Sequence, residues 1–185
     1  MIYAQVHLTL PAWIHEEIAP ETVYPDDLSK MRLSIRLSAL NIEHQSGGPF
    51  GAALFDSDGK LLGIGVNRVV AHNCSQAHAE MMAFATAQQR QQQFRLNANG
   101  QSVTLATSSQ PCAMCYGATF WAGINRILIG ARAEDVQQLA GFDEGPLPVD
   151  WQGEWRKRGI DVSVDLLRDE ACAVLKQYGD SGLVY

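Results

Sequence analysis

The sequence predicts an α/β protein with a largely parallel sheet covered by helices. Strand-like and helix-like segments alternate along the chain from residue 61 onward, and this alternation is typical of linked strand–helix–strand units. No internal repeat, low-complexity tract or linker rich in Pro, Gly or Ser divides the chain. Its 185 residues suit one domain, because domains of about 100 to 200 residues can bury a full core. We therefore expect residues 1–185 to form a single domain.

The composition limits the classes of partner. Hydrophobic residues make up 46% of the chain and charged residues 18%, and no apolar run approaches the roughly 18 residues of a membrane helix. The net charge is −6, and the basic residues do not cluster beyond residues 156–158. A nucleic-acid partner is disfavoured, because gripping phosphates needs a basic stripe. No secretory signal is evident and the four cysteines fit a reducing compartment, so we expect a cytoplasmic protein.

The first predicted elements are a helix and a hairpin. Residues 28–44 fit either an alternating strand or a helical face, and their length without a turn residue favours a helix. Strands over residues 51–56 and 61–67 flank the sequence Ser57-Asp58-Gly59, which is typical of a hairpin turn. Residues 1–27 are expected to be an N-terminal addition to the core.

The remaining predicted elements alternate between helix and strand. They are a helix from near His78 to about Phe94, a strand over 102–107, a helix from Pro111 to about Gly123, a strand over 126–130, a helix near 133–140, a strand over 161–165 and a helix over 166–178. A loop rich in Gly and Pro separates the last strand from the helix before it. Pro111 is expected as the first helical residue, where its missing backbone donor costs nothing.

Two short segments carry the ligands of a hydrolytic zinc site. His78, Cys112 and Cys115 would bind the metal and leave the fourth tetrahedral position to water, whose pKa falls to about 7. The two thiols are three residues apart on one helix face, and a helix N-terminus favours the thiolate form. Taken alone, the Cys-x-x-Cys pair also fits a redox motif, a structural zinc half-site or two core cysteines. Cys74 and Cys172 lie in no paired spacing, so we expect the fourth position to be open.

Glu80 is the candidate proton carrier of this site. Two thiolates cancel the formal charge of zinc, which leaves the carboxylate free to handle protons. Positions two apart do not share a helix face, so Glu80 is expected beside the metal, within reach of the water. The combination of His-x-Glu with Pro-Cys-x-x-Cys about 30 residues later is typical of zinc deaminases of nucleobases. The alternative outside enzymes is a structural zinc in a module that binds a partner.

These motifs resemble the cytidine deaminase superfamily, and within it the bacterial guanine deaminases. The resemblance runs from about Gly47 to the C-terminus and includes the following segments: Gly48-Pro49-Phe50-Gly51-Ala52, Gly65-Val66-Asn67, both zinc segments, Tyr116 to Ala122, and Gly141-Phe142-Asp143-Glu144. It implies a three-layer α-β-α, cytidine deaminase-like fold with a five-stranded mixed sheet, whose fifth strand is parallel to the fourth. The chain departs from the family at its N-terminal residues, which have no counterpart, and at Glu144, where aspartate is more common.

The resemblance also implies an activity. We expect hydrolysis of a free purine base, most closely guanine to xanthine and ammonia, and turnover of guanine-like aminotriazines is a further expectation. Glu80 would protonate the ring, and Glu144 would stand near the exocyclic amine as a second proton shuttle. Cytosine, cytidine or transfer-RNA adenosine remain alternative substrates within the superfamily.

The substrate pocket and the assembly are implied in the same way. Asn67 would hydrogen-bond the base edge, Phe50 and Trp121 would supply apolar walls, and the backbone donor of Ala79 would orient a group near the zinc. The resemblance implies a homodimer whose C-terminal segment, residues 170–185, reaches the neighbouring active site. The terminal Tyr185 would then close the pocket.

Overall fold

The computed structural model of the chain describes residues 4–182 and contains one sheet with helices on both faces. The strands are β1 Gly51–Phe55, β2 Leu61–Val66, β3 Thr104–Ser109, β4 Arg126–Ala131 and β5 Asp161–Ser163. The helices are α1 Ile14–Glu17, α2 Asp27–Glu43, α3 Val69–His72, α4 Ala79–Gln91, α5 Ala113–Ala122, α6 Ala133–Ala140, α7 Trp151–Arg156 and α8 Arg168–Asp180.

The sheet has the order β2-β1-β3-β4-β5 and is mixed. β1 pairs antiparallel with both β2 and β3, whereas β3, β4 and β5 run parallel. The five-stranded mixed sheet and the parallel fifth strand are therefore confirmed. The largely parallel sheet that the alternation of strands and helices predicted is wrong, because β1 is antiparallel to both of its neighbours. One apolar cluster joins α1, α2, α6 and α8 to the sheet, and a second joins α4, α5 and α7 to it. The sheet is therefore the middle of three layers, with one group of helices packed on each of its faces.

The ambiguous segment after residue 27 is a helix, as its length predicted. α2 begins with a reciprocal capping box, in which the Asp26 carboxylate accepts from the backbone N–H of Ser29 and the Ser29 hydroxyl accepts from the backbone N–H of Asp26. Such a box satisfies two of the backbone donors that a helix start leaves unpaired. Its apolar residues Met31 and Leu37 are fully buried against the sheet. The cap and the buried face together explain why helix wins over strand here.

Several predicted boundaries are wrong, for local reasons. α4 ends at Gln91 and not near Phe94, because Gln92 adopts the left-handed conformation that closes the helix. The last strand ends at Ser163, since Asp165 and Leu167 have positive φ angles. The short helices α3 and α7 were not predicted, because neither carries a long periodic apolar pattern.

The N-terminal residues pack into the core. Trp13, Ile14 and Ile18 are all buried, and they belong to the apolar cluster beneath α2. An isolated antiparallel bridge joins Val23 to Lys60 at the hairpin turn. Within residues 4–182, no helix combines the length and the apolar character needed to cross a membrane.

The ion pair between Asp135 and Arg168 should stabilise the packing of α6 on α8. Two hydrogen bonds of 2.7 Å join the guanidinium to the Asp135 carboxylate, which also accepts from the backbone N–H of Arg132. The pairing with Arg168 lowers the pKa of Asp135 from 3.8 to about 2. We expect Asp135→Asn to lower the free energy of unfolding at neutral pH by about 1 kcal/mol.

The sign of the pH dependence follows from the lowered pKa. The contribution of Asp135 is complete at pH values above its unfolded pKa and disappears as the pH falls from 3.8 through about 2. Denaturant unfolding of the wild-type and Asp135→Asn proteins should therefore show a difference in the free energy of unfolding that is constant near neutral pH and decreases in acid. Asp180→Asn, at the exposed pair with Lys176, is the control and should change stability by less than about 0.5 kcal/mol. A difference in the free energy of unfolding that increases in acid would contradict the lowered pKa of Asp135.

Candidate metal centre and the adjoining cavity

The predicted metal ligands lie where two helices begin at the same edge of the sheet. His78 is the N-cap of α4, and Cys112 is the N-cap of α5. Both helices follow strands of one direction, β2 and β3, so their N-termini meet at the carboxyl ends of those strands. This edge is the usual place for ligand sites in α/β proteins. The prediction that Pro111 starts the helix is wrong, because α5 begins at Ala113, after the extended backbone of Cys112.

One donor set can hold a metal ion. Among the residues that the structure describes, His78, Cys112 and Cys115 offer ligand atoms that all lie within 4.8 Å of one another. The Nδ1 atom of His78 is 3.5 Å from the Sγ atom of Cys112, and no cysteine of the chain forms a disulfide. One imidazole and two sulfurs are typical ligands of tetrahedral zinc. The residues present therefore fit zinc, with three protein ligands.

The two thiols share one proton between them. A hydrogen bond from Cys115 favours the thiolate of Cys112 and lowers its pKa to about 4, and His78 acts in the same direction. The backbone N–H of Cys115 also donates to the Cys112 sulfur over 3.5 Å. The side-chain hydrogen bond from the Cys115 thiol to Cys112, together with burial, raises the pKa of the Cys115 thiol. A divalent cation is the group that allows both sulfurs to ionise, which agrees with the donor set.

Glu80 lies buried beside these ligands, in the first turn of α4. Its residue is 7% exposed, and burial raises the pKa of its carboxyl group. The hydroxyl of Thr107, which is also buried, lies 3.1 Å from Glu80 Oε1 and 3.1 Å from the backbone carbonyl of Ser109. The hydroxyl can donate to either acceptor. When it donates to Oε1, Thr107 fixes one oxygen of the Glu80 carboxyl group, which the Glu80 backbone N–H and the Cys115 thiol also contact.

A cavity of about 170 Å³ opens beside His78, Glu80 and Cys112. This volume is below the range of about 300–1,000 Å³ that is usual for drug-sized ligands, so it suits a smaller molecule. The lining of the cavity comprises Phe50, His78, Ala79, Glu80, Ser109, Gln110, Cys112, Phe142, Asp143 and Glu144.

Glu144 reaches the cavity from the loop after α6. The backbone carbonyl of Glu144 accepts from the N–H of Ala113 over 2.9 Å, which ties this loop to the start of α5. Burial raises the pKa of the Glu144 carboxyl to about 8, and the nearby Glu80 and Cys112 act in the same direction. The cavity therefore has a carboxyl group on the side of α4 and a second one on the side of the loop.

The structure brings some of the predicted substrate residues to this cavity and not others. Phe50 and Ala79 line it. Asn67 is buried and is not among the lining residues, and its backbone N–H donates to the carbonyl of Phe50, which is one of them, over 3.2 Å. Trp121 is 78% exposed and lines a different surface depression, so one chain does not place it as a wall of the cavity. Tyr185 lies outside the described residues.

Four cavity residues, Ser109, Gln110, Phe142 and Asp143, were not predicted as part of the site. Ser109 and Gln110 line it just before Pro111, and the ring of Phe142 packs edge-on against Phe50 at a centroid distance of 5.3 Å. The position of Ser109 and Gln110 directly before the first cysteine was the available signal, since they end the strand that leads to the ligand. Nothing in the sequence pattern indicated that Phe142 contacts Phe50.

The comparisons with known proteins agree with this geometry. The family model for the cytidine and deoxycytidylate deaminase zinc-binding region matches residues 25–131. Guanine deaminase of Bacillus subtilis is 32% identical over 114 residues, which are 62% of this chain and 69% of the relative. A solved structure of guanine deaminase from Nitrosomonas europaea is 38% identical, with a TM-score of 0.91 and coverage of 97% of this chain and 99% of that one. A structure of NE0047 in complex with 2,6-diaminopurine is 41% identical, with a TM-score of 0.90 over 97% and 95% of the two chains.

The cysteines provide a direct test of the metal centre. We expect Cys112→Ser and Cys115→Ser to lose most of the about one equivalent of zinc that a three-ligand site binds. Cys74→Ser and Cys172→Ser are the controls and should keep it, because neither residue belongs to the donor set. Zinc is measured by elemental analysis of the purified proteins. Full zinc retention in the first two variants would refute the site.

Proposed function

Since the chain belongs to the cytidine and deoxycytidylate deaminase family and is a zinc-dependent hydrolase, we propose that it hydrolyses guanine to xanthine and ammonia. The observation that carries this substrate is the likeness, over nearly the whole chain, to a guanine deaminase of the same fold. The complex of NE0047 with 2,6-diaminopurine supports a free purine base as the ligand class.

The carboxyl groups of the cavity favour a guanine-like edge. Guanine carries its leaving amino group on C2, next to the ring N1–H, so two donors point in one direction. Glu144 lines the cavity and accepts both donors in its ionised form, which a pKa of about 8 keeps accessible near neutral pH. Cytosine offers one donor beside a ring acceptor at the same edge, which a carboxylate repels. Aminotriazines with a guanine-like edge are secondary candidate substrates for the same reason.

The net reaction forms a bond from C2 to water oxygen and breaks the bond from C2 to the amine. When bound by His78, Cys112 and Cys115, zinc lowers the pKa of water to about 7 and so makes a nucleophile available at neutral pH. Glu80 accepts the first proton of the water at a carboxylate oxygen and passes it to the ring nitrogen beside C2. Thr107 keeps the other oxygen in place during this transfer.

The second proton of the water must reach the leaving amine, because ammonia is a far better leaving group than its anion. We assign this step to Glu144, which lines the cavity near Asp143 and Phe142. Its raised pKa of about 8 keeps the carboxyl group able to carry a proton near neutral pH. Phe50 forms an apolar wall against the base, and Ala79 offers a backbone donor. Asn67, which is buried beside Phe50, is the candidate contact to the base edge.

The partner of the reaction is a small molecule, and a homodimer is part of the proposal. Two large apolar side chains of the chain surface support an interface between copies. Phe94 is 85% exposed and Trp121 is 78% exposed, and Arg95 borders the surface depressions of both. A C-terminal segment shared between copies and a cytoplasmic location remain predictions from the sequence.

The decisive experiment measures ammonia release by the zinc-loaded protein from guanine, adenine, cytosine, cytidine and an aminotriazine in parallel. We expect guanine to be turned over well above adenine, cytosine and cytidine. Turnover of cytosine or cytidine without ammonia release from guanine would refute the guanine proposal and would still support the zinc chemistry. A transfer-RNA anticodon stem is added as a further substrate to test the RNA alternative.

Two substitutions test the assigned proton transfer. Glu80→Gln should lower kcat by about 10²- to 10⁴-fold while zinc content and melting temperature are kept, because it removes the proton carrier alone. Thr107→Val, which has nearly the same shape, should lower kcat by about tenfold through the loss of one hydrogen bond to Glu80. Thr104→Val, at the other end of β3, is the matched control. Wild-type kcat in Glu80→Gln would contradict the mechanism.

A further inference from the structure

The buried amide of Asn41 joins two segments that form the wall of the cavity. Asn41 lies on α2 and is fully buried. Its Nδ2 group donates to the carbonyl of Gly48 over 2.8 Å and to the carbonyl of Asn67 over 3.0 Å. Both amide hydrogens are therefore used, one on the loop before β1 and one on the residue after β2.

The N-terminal segment completes the hydrogen bonding of this amide. The indole N–H of Trp13 donates to Ser46 Oγ over 2.9 Å, and Ser46 Oγ lies 2.7 Å from Asn41 Oδ1. An indole is only a donor, so the hydroxyl of Ser46 must use its own hydrogen elsewhere. Its nearest acceptor is Oδ1 of Asn41, because the backbone carbonyl of Asn41 is farther away at 3.2 Å. The two carbonyls can only accept, so they already require Nδ2 to face them, and the indole of Trp13 fixes the Ser46 hydroxyl that donates to Oδ1.

These contacts lead to the residues of the cavity wall. The backbone N–H of Phe50 donates to the Gly48 carbonyl over 2.8 Å, and that of Asn67 donates to the Phe50 carbonyl over 3.2 Å. The two segments pack closely, since a Cβ atom on Gly47 would lie 1.9 Å from the backbone carbonyl oxygen of Asn67. A change in the direction of the Asn41 amide therefore reaches Phe50 and Asn67.

We propose that Asn41, held through Ser46 by the indole of Trp13, is a positioning residue for substrate binding. It acts through the wall made by Phe50 and Asn67 and touches neither the metal ligands nor Glu80. The inference rests on the proposed base-binding function of this cavity. It gives the N-terminal addition a part in recognition in addition to its part in the core.

Trp13→Phe is the sharpest variant, because it removes the indole donor and keeps an aromatic ring in the buried position stacked on His44. We expect KM for guanine to rise about three- to tenfold, as the loss of one hydrogen bond predicts, with kcat and zinc content within about twofold of wild type. A rise in KM alone indicates lost binding and not lost chemistry. Ser46→Ala should give the same result, and the double variant should add nothing further.

Trp155→Phe is the matched control. Trp155 is fully buried, and its indole nitrogen has no hydrogen-bond partner within residues 4–182, so its replacement removes a similar volume and no hydrogen bond. We expect its KM to stay at the wild-type value. An unchanged KM in Trp13→Phe, or an equal rise in Trp155→Phe, would overturn the proposal.

The design separates this inference from the proposed function. If wild-type protein turns over another base and not guanine, the guanine proposal fails. KM of the four variants is then measured for that base, and the same comparison decides the role of the Asn41 network. Asn41→Asp complements the series, because its carboxylate cannot donate to either carbonyl. If Asn41→Asp keeps the native melting temperature and a wild-type KM, that result would also refute the positioning role.

Discussion

The metal centre depends on how closely α4 approaches β2. A Cβ atom on Gly65 would lie 2.0 Å from the carbonyl oxygen of Ala79, and one on Gly63 would lie 2.9 Å from that of Ala83. Only glycine allows the helix to lie directly on the strand at these points. This contact sets the position of the first turn of α4, which carries Glu80 and follows His78. Because β3 then runs back beside β1, the start of α5 meets the start of α4, and the ligands from both helices come together.

The electrostatics of the site follow from this meeting of helix ends. Two thiols, the Glu80 carboxyl and the Glu144 carboxyl are gathered in a small volume, and without a cation they compete for protons, which is the reason for the opposite pKa shifts of Cys112 and Cys115. The raised pKa values of both carboxyl groups have burial as their largest cause. A dication bound by the two thiolates makes the centre formally neutral, and the carboxyl groups are left to exchange protons with a ligand. The charge balance that binds the metal therefore also leaves the carboxyl groups available as proton carriers.

The metal half of the site could be predicted from the sequence, because its residues are close in sequence and spaced by helix geometry. His78, Glu80, Cys112 and Cys115 follow rules that act within one turn, and the structure brings them together. The alternation of strands and helices likewise predicted the layered fold. The substrate half was harder. Trp121 lies in the last turn of the ligand helix α5, yet its side chain is exposed and lines a different depression. Thr107 lies on β3 facing Glu80 only because the strand register places it there, and a single sequence holds no signal for that contact.

The wall of the cavity shows why such residues escape prediction. Phe142 contacts Phe50 at 5.3 Å on one side and Tyr178 of α8 at 5.8 Å on the other, so the loop that carries Glu144 is held between the start of β1 and the last helix. Phe50 is held in turn through Gly48, Asn41, Ser46 and Trp13, a path that reaches from the cavity to the N-terminal segment. Each contact joins residues far apart in the chain. Metal chemistry is thus encoded in two short motifs, whereas the shape presented to a substrate is a property of the whole packed chain, including the N-terminal residues. The prediction that those residues have no counterpart is wrong, because the guanine deaminase structure matches 97% of this chain.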